Sequence, residues 1–191
     1  MKITGGKLKG HTLFTPPSKE TSIRPLRSRI RKALFDILGN DLKGFYVLDL
    51  FAGTGALGIE ALSRDADFVV FVDFSPLSIK LIHKNLEKLG LKEKAKVFKL
   101  HLPEELPKLP SLMGKTFKKF DLIFVTPPYG LGLAEKTLQG IPTFFIKENT
   151  LFIVEERTSL KLNFPSERFS LLKIKAYGET TLYFLKYLGI T

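Results

Sequence analysis

The sequence predicts an α/β fold built on a mostly parallel sheet. Two observations carry this. From residue 45 onward, short runs of β-branched and aromatic residues alternate with segments of helical periodicity. A glycine-rich turn joins the first of these strands to the first of these helices, in VLDLFAGTGALG at 47–58. Size fits the class. The chain has 191 residues, 44% of them hydrophobic, and no cysteine, so its core needs no disulfide framework. It divides by texture into a basic ribbon-and-helix appendage over 1–44 and a core domain over 45–191.

Residues 2–15 hold two short apolar–polar runs split by Gly5, Gly6 and Gly10, the pattern of a small β-ribbon. A loop over 16–22 leads to Ser22, a candidate cap for a helix starting near Ile23 with Pro25 in its first turn. Leu26, Ile30, Ala33, Leu34 and Ile37 recur at helical spacing, and Gly39 ends the helix. At 100° per residue Arg24, Arg27 and Arg31 fall together beside that stripe. Strands follow at 45–51, 68–74, 96–100, 120–125 and 150–156, with helices at 56–64, 76–90 and 131–139. A Pro-rich helix or loop fills the stretch before 120, and runs at 168–176 and 181–187 close the chain as an antiparallel pair.

Composition narrows the function classes. Without cysteine there is no thiolate zinc site and no cysteine nucleophile. The three histidines, at 11, 83 and 101, are too scattered for a histidine metal cluster, so no metal is expected. No run approaches the ~18 uninterrupted apolar residues of a membrane span. The first ten residues lack the apolar stretch of a secretory leader, so the reading is cytoplasmic. The net charge is +11, and residues 1–44 carry +7 of it, from ten basic and three acidic residues. A basic segment of this kind suits a polyanionic partner, nucleic acid above all; the competing reading is a lysine-rich solvated surface.

Gly53, Gly55 and Gly58 form G-x-G-x-x-G between a strand and a helix, and Asp73 lies twenty residues past Gly53 at the end of the second strand. There an acid grips ribose hydroxyls in an open parallel sheet. Asp49 sits just before the turn, where it would repel a dinucleotide's pyrophosphate. A carboxylate at that point suits S-adenosylmethionine, which has no phosphate and carries a sulfonium and an ammonium. Asp49 could instead cap the loop's own amides, or do both. A second motif, FDLIFVTPPYG at 120–130, ends the fourth strand. Pro127 and Pro128 fix an extended backbone and remove two donors. That leaves bare carbonyls, the Thr126 hydroxyl and the Tyr129 ring, which together can accept from an amino group and stack on a base.

These motifs carry a resemblance. DLFAGTG with a PP-Tyr loop resembles the amino-methyltransferases that use S-adenosylmethionine on exocyclic amines of bases. With ITGGKLKGHTL, RPLRSRIRKALFDIL and YGETTLYFLKY the chain is similar to the bacterial 16S ribosomal RNA guanine-N2 methyltransferase family (RsmD) over nearly its whole length. The resemblance implies a Rossmann-like class I methyltransferase fold, with a seven-stranded sheet, one antiparallel C-terminal strand and a small N-terminal ribbon and helix. It implies S-adenosylmethionine as cofactor, a guanine amine of 16S ribosomal RNA or of the assembling small subunit as substrate, and a monomer. Carried over, Asp49, Phe51, Ala52, Gly53, Thr54 and Gly55 line the cofactor's methionine end, and Asp73 holds the ribose with Phe74 against the adenine. Thr126, Pro127, Pro128 and Tyr129 present the guanine, and Lys7, Lys9, Arg24, Arg27 and Arg31 grip RNA.

Two positions depart from the family pattern. Thr126 stands where Asp or Asn usually opens the PP loop, and His101 stands where an acid or amide usually meets the adenine amine. A neutral His101, or the backbone of Leu102, can take that amine. A hydroxyl accepts more weakly than a carboxylate, which leaves three consequences of Thr126 open: a slower enzyme, another target amine, or a catalytically weak RNA-binding relative. DNA amino-methylation and a nucleotide-dependent oxidoreductase are the rival enzyme readings; Asp49 and the PP-Tyr loop argue against the second.

Overall fold

A computed structural model describes residues 1–17 and 26–189. The molecule divides into two compact units, Met1–Lys99 and Leu100–Thr191.

In the first unit, α1 (Ser28–Leu38), β1 (Tyr46–Leu50), α2 (Ala56–Ser63), β2 (Phe68–Asp73), α3 (Pro76–Lys88) and β3 (Ala95–Lys99) follow in order. The three strands are parallel, with β2 between β1 and β3: Val47 lies opposite Val69, and Val70 opposite Lys96. Consecutive residues Val69, Val70, Phe71 and Val72 are all fully buried. A strand covered on both faces needs apolar side chains at every position, which is why the sequence shows unbroken runs here rather than alternation. Ser75 caps α3, its hydroxyl accepting from the Ser78 amide at 3.4 Å, and Pro76 fills the first helical position. Gly58 faces the strands: a Cβ there would come within 2.3 Å of the Phe71 ring, so only glycine lets α2 approach β2 this closely.

The N-terminal ribbon is short. Lys2 and Thr12 make one antiparallel bridge, supported by Ile3 N–H to His11 O and Leu13 N–H to Met1 O. It is built into the first unit. Ser63 at the end of α2 accepts the Lys7 amide on its carbonyl at 2.7 Å and donates its hydroxyl to Gly5 O at 2.6 Å. Gly6 has φ +75°, and a Cβ there would sit 1.9 Å from Ser63 O. Beside this clasp lies a buried charge triad. Glu60 accepts Arg31 Nε at 3.0 Å and the Thr4 amide at 2.6 Å on Oε1, and pairs with Arg64 through Oε2. The Arg64 guanidinium stacks over Phe35 at 4.4 Å from its centroid.

Two expectations change here. The first helix begins at Ser28: Leu26 and Arg27 lie outside it, and Arg27 is extended at ψ 141°. Ser22, Ile23, Arg24 and Pro25 lie outside the described residues. The fifth strand begins at residue 146 rather than 150. Its first turn of sequence, Lys147 to Asn149, is exposed and polar and gives no strand signal. Thr150 anchors it instead, donating to Phe120 O at 2.7 Å beside a break in the ladder register.

In the second unit, short 3₁₀ turns flank α4 (Leu109–Met113) before β4 (Phe120–Val125), α5 (Leu133–Gly140), β5 (Ile146–Arg157), β6 (Phe169–Tyr177) and β7 (Thr180–Tyr187). β4 and β5 are parallel. β7 runs antiparallel to both β5 and β6 and lies between them, the reversal made at Gly178 with φ +62°. The protein thus has the mostly parallel, seven-stranded α/β architecture with one antiparallel C-terminal strand that the sequence predicts.

Candidate functional site

The glycine turn leaves β1 at Asp49 and Leu50. Phe51 has φ +58°, an unusual conformation for a bulky side chain, and Gly53 and Gly55 follow at φ +58° and +79°. The turn is fixed by its own backbone: Ala52 N–H donates to Val72 O at 3.1 Å and Gly55 N–H to Ala52 O at 2.8 Å. Asp49 is 1% exposed. Its Oδ2 accepts the Gly58 amide at 2.9 Å, while its Oδ1 is buried with no hydrogen-bond partner. Burial pushes its carboxyl up to about 8; the Gly58 hydrogen bond pulls the other way, and the nearby Asp73 charge adds to the rise. A buried carboxylate oxygen without a donor is costly, and a cationic or N–H-bearing ligand would relieve it.

Asp73 ends β2 and ties the turn to it. Its Oδ2 accepts the Gly53 amide and its Oδ1 the Ser75 amide, both at 2.9 Å. Each oxygen keeps a lone pair for a hydroxyl. Phe74 follows, with 53% of its surface exposed. Thr54 is buried, and its carbonyl accepts Asn85 Nδ2 at 3.1 Å. Sequence reasoning missed Asn85. Its signal was an amide on the face of α3 that Ile82 and Leu86 mark as buried.

In the second unit the TPPY loop leaves β4. Thr126 is half-buried, Pro127 buried, Pro128 exposed and Tyr129 half-buried. The Tyr129 hydroxyl donates to Glu155 Oε1 and shares a hydrogen bond with Thr180 Oγ1 at 2.9 Å. The Arg157 guanidinium lies 5.8 Å from the ring centroid. Tyr129 is thus held at its hydroxyl end by β5 and β7, a support the sequence did not reveal. His101 is exposed, with its amide donating to Glu105 Oε2 at 2.8 Å; Leu102 is buried.

Of the cations expected to meet RNA, Lys7, Lys9 and Arg27 are exposed, and Lys7 pairs with Asp65 at the surface. Arg24 lies outside the described residues. Arg31 is a correction. It is fully buried, with its guanidinium spent on Glu60, Leu26 O and Lys2 O, and has no donor to offer a phosphate. The arginine face also dissolves, since Arg27 precedes the helix and the 100° count does not reach it. No helix among the described residues is long and apolar enough to cross a membrane.

A family model described as "Conserved hypothetical protein 95" matches residues 1–186. The chain belongs to this family. The ribosomal RNA small subunit methyltransferase D of Haemophilus influenzae is 31% identical over 186 residues, covering 93% of this chain and 89% of its own. The solved structure of the Escherichia coli protein yhhF has a TM-score of 0.80 at 26% identity, over 100% of this chain and 99% of that one. An RNA methyltransferase of Salinibacter ruber, solved in complex with S-adenosyl-L-homocysteine, shares the fold. Its TM-score is 0.63 at 14% identity, over 88% and 96% of the two chains.

Proposed function

We propose that this protein methylates ribosomal RNA with S-adenosylmethionine, and that the acceptor is the exocyclic N2 amine of a guanine in the small-subunit RNA. Asp49 carries the reading. Its buried, unpartnered oxygen at a glycine turn fits a cationic ligand and opposes a phosphate. S-adenosylmethionine supplies a methyl group already activated on a sulfonium, so the chain needs no metal and no covalent intermediate. Asp49 and the backbone of Gly53 to Gly55 hold the methionine end, and Asp73 accepts the ribose hydroxyls. Thr126 Oγ1 and the Pro127 carbonyl accept the two N–H bonds of the amine and so orient its lone pair. Tyr129, braced by Glu155, stacks on the base once it has left the RNA stack. Orientation is the main catalytic contribution, since the amine's lone pair is otherwise delocalised into the ring.

The decisive experiment is methyl transfer from labelled cofactor to free small-subunit RNA and to assembled subunits, followed by mass spectrometry of the nucleosides. N2-methylguanosine is expected. The Thr126 hydroxyl favours one second reading, a different base amine, which the same analysis would reveal as another methylated nucleoside. No transfer to any RNA would sink both.

The Asp49 carboxyl also sets a pH dependence. Its folded pKa lies above the ordinary value of about 3.9, so the folded chain holds this proton more tightly than the unfolded one. The stability it contributes is full below pH ~4 and is lost as pH rises through about 8. A cationic ligand favours the ionised form and expels the proton. Cofactor affinity should therefore rise with pH up to about 8 and then level off, with proton release below that point. Calorimetry in buffers of different ionisation enthalpy measures the release. Asp49→Asn should bind more weakly and without it; an unchanged proton count would remove Asp49 from the site.

A further inference from the structure

Phe14 closes the second arm of the ribbon with 45% of its surface exposed. Its backbone is tightly held. The Phe14 amide donates to Asn85 Oδ1 at 2.6 Å, and the Phe14 carbonyl accepts Asn85 Nδ2 at 3.1 Å. That fully buried side-chain amide on α3 also bonds the Thr54 carbonyl of the glycine turn. The fold therefore uses a buried polar residue to fix the backbone that carries an exposed ring. Two α3 lysines flank it, Lys88 Nζ at 5.0 Å and Lys84 Nζ at 5.8 Å from the centroid. Lys88 also donates to the carbonyl and hydroxyl of Thr12. Lys80, one turn before Lys84, is exposed as well, and the acid on this stretch, Glu87, is paired with Lys92.

We propose that Phe14 is a stacking platform for one unpaired nucleotide of a single-stranded RNA, with Lys80, Lys84 and Lys88 taking the flanking phosphates. This rests on the reading of the protein as an RNA methyltransferase, and it adds a contact distinct from Lys7, Lys9 and Arg27. Charge complementarity selects a polyanion, and the exposed aromatic ring selects one that carries bases. Exposed lysine–aromatic contacts are weak, so the ammonium groups can turn to phosphates when a base covers the ring. The Asn85 hydrogen bonds order the backbone at Phe14 beforehand, which lowers the ordering cost of binding.

The chain has no tryptophan, so Phe14→Trp places a single reporter in the full-length protein. A short single-stranded RNA of mixed sequence should quench its fluorescence, whereas heparin, a polyanion without bases, should not. Phe14→Ala should weaken RNA binding about 5- to 150-fold, the equivalent of one lost base stack. Lys84→Ala and Lys88→Ala should each lower the log–log salt slope by about 0.7. Phe14→Leu keeps an apolar side chain without a π-face and should bind as weakly as Phe14→Ala. If RNA binds but the reporter stays unquenched and Phe14→Ala binds normally, the platform is refuted while the RNA reading stands. Equal quenching by heparin reduces the site to a charged patch and overturns the proposal. If the native protein binds no RNA at all, both readings fall.

Discussion

Glu60→Ala should lower stability by about 3–5 kcal/mol, the range for breaking a buried ion pair from one side. The change strands three groups at once. Arg31 and Arg64 are both essentially buried and would keep uncompensated charges, and the Thr4 amide would lose its acceptor. For a chain of this size each kcal/mol is worth roughly 2–4 °C in Tm, so a fall of roughly 6–20 °C is expected. Urea and thermal unfolding measure it. Glu60→Gln keeps the shape and one acceptor and should fall between the two. Replacing Arg31, Glu60 and Arg64 together with apolar residues of similar volume should cost much less than Glu60→Ala, because no charge remains without a partner. A loss below about 1 kcal/mol for Glu60→Ala would mean that the two guanidiniums regain water.

Thr126→Val should slow methyl transfer roughly 5- to 150-fold. Valine preserves the shape of threonine and deletes the acceptor, and a buried donor left unmatched costs about 1–3 kcal/mol. The loss should fall on the single-turnover rate, because the residue serves the base amine. Cofactor affinity should hold steady in calorimetry. Thr126→Asp should equal or exceed the native rate on guanine, since a charged acceptor makes a stronger hydrogen bond. Equal rates for threonine and valine would leave base presentation to the Pro127 carbonyl and Tyr129 alone.

What the sequence disclosed depended on how locally each signal was written. The parallel strands were legible because a strand covered on both faces must be largely apolar; the runs at 45–51, 68–74 and 120–125 match the strands Tyr46–Leu50, Phe68–Asp73 and Phe120–Val125 closely. The glycine turn with Asp49 was legible because a strand–turn–helix junction confines its special residues to one short stretch, and Asp73 because it ends the next strand twenty residues past Gly53. The partners were not. Arg31 looked like a surface cation because helical periodicity assigns a face but cannot see an acid 29 residues away. Asn85 meets Thr54 across 31 residues, and Tyr129 meets Glu155 across 26. The start of β5 was hidden because Lys147 to Asn149 are exposed and polar, and the Lys147 ammonium is held by Asp121 of β4, a partner distant in sequence.

The separations in the ribbon's clasp have a consequence for synthesis. Thr4 needs Glu60, 56 residues later; Gly5 needs Ser63, 58 later; Phe14 needs Asn85, 71 later. At roughly 5–20 residues per second, the nascent ribbon waits several seconds before its last partner has been made. The basic leading segment therefore cannot reach its native form until the glycine turn and α3 have followed it. The ribbon's second arm and the glycine turn both close on Asn85, so they are fixed in the same step.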